Sequence, residues 1–521
     1  MKIVVAEKIA PAAMQLLQAV PGAEVLTPEE FAADPSAAVA HADALIVRSA
    51  VQADAALIEA GQTLRVIGRA GVGVDNIDVE TATRRGIVVM NAPGASAVSV
   101  AELTLGLMLN MARHIAKADQ STRAGKWDKK SLQGTELSGK TLGIVGLGRI
   151  GTEVARRAQA FGMKVIGSDP YLSPARAKEL GIELLPLEQV YAQSDYLSLH
   201  LALTHQTAGM IDAEALAQMK PGVRLVNCAR GELVDEAALE AALRSGQVAA
   251  AALDVFHEEP THNAGLLSAP NLVATPHLGA STKEGQEAVG IQIARQVRDY
   301  LLQGVAQNAV NLPSLTDTEY KQIEPYMALA ARLGRFAAQL FPSNLAEIEV
   351  RFEGQMGAWK TQLIRASAVA AVLQSDRNEP TNLINAQAAA EERGVVVRES
   401  RSEPESRVNA IHIKLSGPTG HVSCSGALVH GKPRLTQLNG IDIESQLDGN
   451  FIVVANLDAP GVVGGIGTLL GRHGINIARL SLGREDGLAL AIVQVDEAVS
   501  AEVLAGLRGV ASVQRVHRIL V

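Results

Sequence analysis

The chain has 521 residues, too many for one hydrophobic core, and about 150 residues per domain predicts three or four domains. Its formal net charge of −8 excludes a broadly basic nucleic-acid face or an anionic-membrane surface, so no nucleic-acid and no membrane partner is expected. Aromatic residues make up only 3%, and the abundance of Ala, Val, Leu and Gly suits helices packed closely on both faces of parallel sheets.

Short β-branched runs alternate with Ala- and Leu-rich helical stretches as far as about residue 310. The predicted strands are Lys2–Ala6, Ala44–Val47, Leu64–Ile67, Ile87–Met90, Leu142–Val145, Lys164–Gly167, Tyr196–Leu199, Arg224–Asn227, Ala251–Val255 and Leu272–Ala274. Such alternation implies right-handed crossovers and parallel sheets, and ten strands are too many for one sheet. The fold class expected is therefore α/β, with two doubly wound parallel-sheet domains. Helical segments Ala97–Ala118 and Thr282–Leu302 would carry the chain between them. The first domain is then discontinuous, residues 1–96 plus 285–310, and the second covers 97–284.

The Pro-bearing stretch Asn308–Thr318 reads as a linker. Beyond it the pattern becomes α+β over 315–446, with strands Ala346–Phe352 and Asn409–Lys414 around a helix at Thr381–Arg393. No catalytic cluster is visible there. Residues 449–521 read strand (Phe451–Leu457), helix (Val462–His473), strand (Asn476–Leu482), strand (Leu488–Val495), helix (Ala501–Leu507), strand (Val510–Leu520). That βαββαβ order is the ferredoxin-like split motif.

Cys228 and Cys424 have neither metal-ligand nor redox spacing, so no metal site and no disulfide scaffold is expected. The apolar run in Met1–Glu7 is too short for a signal peptide, and no apolar stretch is long enough to span a bilayer. A cytoplasmic location is the expectation.

The motif with most chemical content is Leu142-Gly143-Ile144-Val145-Gly146-Leu147-Gly148-Arg149-Ile150-Gly151, a strand entering G-x-G-x-x-G and then a helix predicted over Thr152–Phe161. Gly146 permits the tight turn, Gly148 lets the backbone approach a pyrophosphate, and Gly151 lets helix and strand pack closely. The helix amino terminus offers N–H groups to that anion. Asp169 ends the next strand, where a carboxylate accepts hydrogen bonds from the adenosine ribose and repels a 2′-phosphate. NAD is the cofactor this pattern predicts.

Removing a hydride from a carbinol needs a proton acceptor and a grip on the neighbouring carboxylate. Three side chains follow successive predicted strands: Arg230, Glu259 and His277. Arg230 can hold a carboxylate with two parallel hydrogen bonds. His277 can exchange the hydroxyl proton near neutral pH. Glu259 can orient its ring.

These residues carry a resemblance. Gly146–Gly151, Asn227-Cys228-Ala229-Arg230-Gly231, Leu253-Asp254-Val255-Phe256 with Glu259-Pro260, and Pro276-His277-Leu278-Gly279-Ala280 are similar to the D-isomer-specific 2-hydroxyacid dehydrogenase family. Gly68–Asn76 and Gly134–Leu137 resemble its members that act on a phosphorylated acid. The resemblance implies NAD-dependent oxidation of 3-phospho-D-glycerate to 3-phosphooxypyruvate, the first step of phosphorylated L-serine biosynthesis, with Arg230, Glu259 and His277 catalytic. It adds Arg149, Ile150, Cys228, Asp254 and Gly279 to the NAD neighbours, and Arg48, Arg69 and Lys129 to the substrate anion. At His200-Leu201-Ala202 relatives often have His-x-Pro, so no polar cofactor contact is expected of Leu201. The alternatives within the resemblance are a glyoxylate or hydroxypyruvate reductase and a non-catalytic NAD-sensing regulator.

Asn456–Val462 followed by Gly474–Ile477 resembles an ACT domain, in which paired domains bind an amino acid at their interface. That implies an L-serine effector at Asp458 and Asn476 and a homo-oligomer, a dimer or tetramer. The alternative is a domain that only oligomerises.

Overall fold

The computed structural model describes residues 1–313, 315, 317–341, 344–374, 381–402 and 408–521. Positions 314 and 316 of the predicted linker, and 342–343, 375–380 and 403–407 of the region that follows, lie outside the described residues. The chain divides into two compact units: Met1–Asp54, Ala60–Ile77 and Met90–Asn308 form the first, and Ala55–Glu59, Asp78–Val89 and Ala309–Val521 the second.

A five-stranded sheet is built from β1 (Lys2–Val5), β2 (Glu24–Leu26), β3 (Ala44–Val47), β4 (Val66–Arg69) and β5 (Val88–Met90), in the order β2-β1-β3-β4-β5. β1, β3 and the first three residues of β4 are almost wholly buried, and so read as continuous apolar runs. The helix Lys283–Gln303 returns to this sheet, where Ile293 and Val297 press against Gly68 so closely that a Cβ there would leave them no room. Thr282 caps that helix by accepting from the Gly285 N–H, and its hydroxyl meets Ser99 of the outgoing helix Ala97–Arg113 at 2.7 Å.

The seven-stranded sheet contains β6 (Thr141–Val145), β7 (Lys164–Ser168), β8 (Glu183–Leu184), β9 (Tyr196–Leu199), β10 (Val223–Asn227), β11 (Val248–Leu253) and β12 (Leu272–Ala274). Its order is β12-β11-β10-β9-β6-β7-β8, and its neighbouring strands pair in parallel. Strand order reverses between β6 and β9. Ligands of doubly wound sheets bind outside the carboxyl ends of strands at such a switch point.

In the second unit a six-stranded sheet runs β14-β13-β15-β16-β17-β18. Its strands are β13 (Glu347–Glu353), β14 (Val396–Arg401), β15 (Ala410–Gly417), β16 (Gly420–Val429), β17 (Lys432–Leu438) and β18 (Ile441–Gln446). Ile348, Val350, Phe352, Ile411, Ile413 and Leu415 alternate into a core beneath the helices Asp317–Leu340 and Gln362–Leu373. A four-stranded antiparallel sheet follows: β19 (Asn450–Leu457), β20 (Ile477–Glu485), β21 (Leu488–Val495) and β22 (Val513–Leu520), ordered β20-β21-β19-β22. Its helices Val462–Arg472 and Ala501–Arg508 cover Ile452, Val454 and Val493. Phe451, Val453 and Ile492 point the other way, where Phe336 meets Phe451 edge-on at 6.3 Å.

Several expectations are corrected. The helix predicted over Ala97–Ala118 stops at Arg113, because His114 adopts a left-handed φ of 53° and a second helix starts at Ile115. The helix expected at Thr381–Arg393 occupies only Ala386–Glu392, since Asn382 and Asn385 spend their side chains on local backbone turns. The predicted linker ends inside the helix that begins at Asp317, and Ala346 lies exposed just outside β13. The edge strands β2 and β8 and the strand β17 carry too little apolar alternation to be read in advance.

Candidate functional site at the switch point of the parallel sheet

Gly146 leaves β6 with φ of 93°, and a Cβ there would press into the carbonyl of His200 at the end of β9. A Cβ on Gly151 would collide with the carbonyl of Gly146, so the helix Arg149–Ala160 crosses the strand as closely as backbone allows. Gly148 has open space where its Cβ would stand. The helix has no side-chain cap at its amino terminus, leaving N–H groups to face an anion. This bare backbone above a helix end fits a dinucleotide pyrophosphate. The helix begins three residues before the predicted Thr152, which brings Arg149 and Ile150 into its first turn.

Asp169 lies just past β7. One carboxylate oxygen accepts from the Leu147 N–H at 2.7 Å, tying it to the glycine loop, and the other accepts from Tyr171 and Leu172. Cys228 is buried, and burial pushes its thiol up to about 12, which suits a packing residue and not a nucleophile. Asp254 has no exposed surface. Its oxygens accept from the Thr275 hydroxyl at 2.6 Å, the Leu278 N–H at 2.7 Å and the Gly279 N–H at 2.8 Å. These bonds tie Asp254 to the loop carrying His277 and Gly279. Leu201 packs on the core of this sheet.

His277 has a left-handed φ of 55°, and its N–H donates to the Asp254 carbonyl. Such a backbone is costly for a non-glycine residue and persists where its surroundings over-determine it. Its Nδ1 meets Glu259 Oε2 at 2.7 Å, while Glu259 Oε1 accepts from the Phe256 N–H at 3.0 Å. The hydrogen bond to Glu259 raises the pKa of His277, against burial and the Arg230 charge, with the Glu259 and Asp254 charges adding to the rise. Burial pulls Glu259 the other way, but the bonds from His277 and the Phe256 amide more than offset it, and its pKa falls. The half-exposed imidazole is fixed through Nδ1, and Nε2 is left free.

Arg230 and Arg48 lie near enough to Arg69 for their charges to act on it, as do the carboxylates of Asp75 and Glu7. Arg69 is largely buried, its Nε has no hydrogen-bond partner among the described residues, and burial with the charges of Arg230 and Arg48 lowers its pKa. Gly71 makes room for the Arg69 guanidinium, and Gly73 for that of Arg230; a side chain at either would strike it. The loop bearing Arg48 is pinned from below. Glu7 accepts from the N–H groups of Arg48, Ala50 and Val51, and Asn76 donates to the carbonyls of Arg48 and Val51. Arg230 Nε meets Asp75 Oδ2 at 3.0 Å. Glu7, Gly71, Gly73, Asp75 and Asn76 were not singled out from sequence; only the string Gly68–Asn76 pointed near them. Lys129 is exposed on its loop, with no hydrogen bond or ion pair among the described residues.

In the terminal sheet, Asp458 and Asn476 lie on either side of the eleven-residue helix Val462–Arg472, itself about 16 Å long at 1.5 Å per residue. Asp458 approaches Arg484 at 3.6 Å and Asn476 donates to Asp496 at 2.6 Å. Within one chain they do not meet.

Among the described residues no helix is long and apolar enough to cross a membrane, and no group of three or more His, Cys, Asp or Glu is placed to hold a metal.

Residues 105–279 match the family model described as D-isomer specific 2-hydroxyacid dehydrogenase, NAD binding domain, and residues 322–439 match the D-3-phosphoglycerate dehydrogenase intervening domain. The D-3-phosphoglycerate dehydrogenase of Methanocaldococcus jannaschii is 40% identical over 99% of this chain and 99% of its own, and that of Bacillus subtilis 38% identical over 92% of each. Among solved structures, a glyoxylate reductase from Paecilomyes thermophila matches with TM-score 0.55 and 34% identity over 60% of this chain and 98% of its own. A D-lactate dehydrogenase from Aquifex aeolicus, complexed with NAD and lactic acid, matches with TM-score 0.53 and 27% identity over 60% of this chain and all of its own. The chain belongs to the D-3-phosphoglycerate dehydrogenases of the NAD-dependent D-isomer-specific 2-hydroxyacid dehydrogenase family.

Proposed function

We propose that this protein oxidises 3-phospho-D-glycerate to 3-phosphooxypyruvate with NAD, the entry to phosphorylated L-serine synthesis. The observation that carries the reading is the gathering of Arg48, Arg69 and Arg230 beside the Glu259–His277 pair in a chain of net charge −8. Asp75 and Glu7 offset these charges only in part, since burial and the neighbouring arginines still lower the Arg69 pKa, and such a site favours a multiply charged anion.

Arg230 grips the carboxylate next to the carbinol carbon. His277, neutral at its free Nε2, accepts the hydroxyl proton, and Glu259 stabilises the imidazolium that forms. Arg48 and Arg69 take the phosphate, with Lys129 closing on it from its exposed loop. Gly146, Gly148, Arg149, Ile150 and Gly151 would hold the pyrophosphate and Asp169 the ribose, with Cys228, Asp254 and Gly279 also beside NAD and Asp254 keeping the loop of Gly279 in place. Bound NAD supplies the hydride acceptor.

Residues 1–96 with 285–310 act as the substrate domain, 97–284 as the NAD domain, 315–446 as an intervening domain and 449–521 as an ACT-like domain. Because Asp458 and Asn476 lie on either side of the helix Val462–Arg472, an L-serine site would take Asp458 from one copy and Asn476 from another, which calls for a dimer or tetramer. The setting is the cytoplasm.

The test is a panel of 2-hydroxy acids with NAD, followed by NADH absorbance. Phosphoglycerate is expected to give the highest kcat/KM. A higher value for glycerate or lactate overturns the substrate.

A further inference from the structure

The geometry around Arg230 shows how its carboxylate site is kept when no substrate is bound. Three of its nitrogens have different fates. Nη1 donates to the carbonyl of Ala229 at 2.6 Å, Nε donates to Asp75 at 3.0 Å, and Nη2 makes no hydrogen bond among the described residues. A carboxylate bound by two parallel bonds needs two adjacent nitrogens, either Nε with Nη2 or Nη1 with Nη2. Nε has one N–H and gives it to Asp75, whereas Nη1 has two and gives one to the Ala229 carbonyl. Of the two occupants, the Ala229 carbonyl belongs to the backbone beside Arg230 and cannot leave. The Asp75 side chain is 62% exposed, against 24% for Arg230, and turning into solvent costs it little. Gly73, without a Cβ, leaves the slot in which the Arg230 Nη2 and the Asp75 carboxylate lie together.

We infer that Asp75 is an internal stand-in for the substrate carboxylate, occupying the Nε side of Arg230 until an acid displaces it. This rests on the proposed role of Arg230 as the carboxylate grip. Asp75 holds the guanidinium through Nε before substrate arrives. It also sets a threshold, because an acid that takes the Nε–Nη2 pair must first replace a carboxylate of equal charge. A ligand with phosphate but no carboxylate is free of that threshold. Asp75 thus acts through Arg230 as a positioning and selectivity residue. Asn76, next in the chain, fixes the loop that presents it by its two bonds to the Arg48 loop.

The test compares the unmodified full-length protein with Asp75→Asn, saturated with NADH, by calorimetric titration of oxalate, 3-phosphoglycerate and glycerol 3-phosphate. Asparagine still accepts a bond from Nε but carries no charge. Binding of oxalate and of 3-phosphoglycerate is expected to tighten about three- to fivefold, as loss of an exposed ion pair allows, while glycerol 3-phosphate binds as before. Unchanged or weaker oxalate binding overturns the inference. So does equal tightening of glycerol 3-phosphate, which would mean only that a negative charge was removed nearby. Failure of the unmodified enzyme to turn over 3-phosphoglycerate, with the oxalate shift intact, defeats the substrate reading and leaves the stand-in standing.

Discussion

Among the described residues stand two imidazole–carboxylate pairs of nearly equal length and opposite character. In the first unit His277 meets Glu259 at 2.7 Å, and in the second His412 meets Glu353 at 2.8 Å. His277 stands in a loop past the end of β12, half exposed, with only Nδ1 engaged. His412 lies mid-strand on β15, its side chain 21% exposed, and its Nδ1 is also taken, by the Ser425 hydroxyl directly opposite on β16 at 2.7 Å. The glutamate bond dominates at His277 and raises its pKa, whereas burial dominates at His412 and lowers it, helped by the Arg351 charge. A histidine paired with a carboxylate becomes an acid–base group only where its second nitrogen is free and faces a cleft. On a flat sheet the same atoms form a cross-strand polar contact.

Substitution breaks the comparison most sharply at the imidazoles themselves. His277→Ala is expected to lower kcat by about 10² to 10⁴-fold with NADH binding retained. His412→Ala should leave kcat within about twofold, since the loss of a cross-strand contact costs stability and not chemistry. Rates measured at saturating substrate check both, and an equal loss in the two variants would erase the distinction.

The arginines repeat the contrast. Arg69 keeps a buried, unpartnered donor, while Arg401 spends its guanidinium on Glu399, Thr361 and the Gly357 carbonyl. Arg69→Ala should raise KM for phosphoglycerate about 10- to 100-fold, as loss of a charged hydrogen bond implies, with KM for NAD little changed. Arg401→Ala should move neither. Equal effects on both KM values would remove Arg69 from the phosphate.

A smaller effect is expected from the terminal sheet. L-serine titrated into the assay should depress the rate several-fold, and Asp458→Ala should weaken that response. An unmodified enzyme indifferent to serine removes the effector.

Much of this was legible because it is local. The glycine turn, Asp169 and the three side chains following β10, β11 and β12 declare themselves by spacing along one strand–loop unit. So does the βαββαβ order at the end, because β19 and β21 are continuous apolar runs set off by helical stretches. Glu7, Asp75 and Asn76 did not, since each acts on a loop or side chain distant in sequence and each reads alone as an ordinary polar residue. Gly71 and Gly73 show their purpose only when two guanidinium groups are seen lying over them. That Asp254 also holds the loop of Thr275, Leu278 and Gly279 is visible only once that loop is folded over it. The helix Asp317–Leu340 was obscured by Pro325 inside it and by its start within a linker-like stretch.

The account depends on Glu259 poising His277 as a base, and the pH profile of kcat/KM for phosphoglycerate oxidation tests that most directly. The base form exists only above the raised pKa, so activity in the unmodified enzyme should rise with pH through a value above 6.5. In Glu259→Gln, without the carboxylate, that rise should move to lower pH, while Glu353→Gln leaves it in place. A rise at the same pH in the unmodified enzyme and Glu259→Gln would contradict the account.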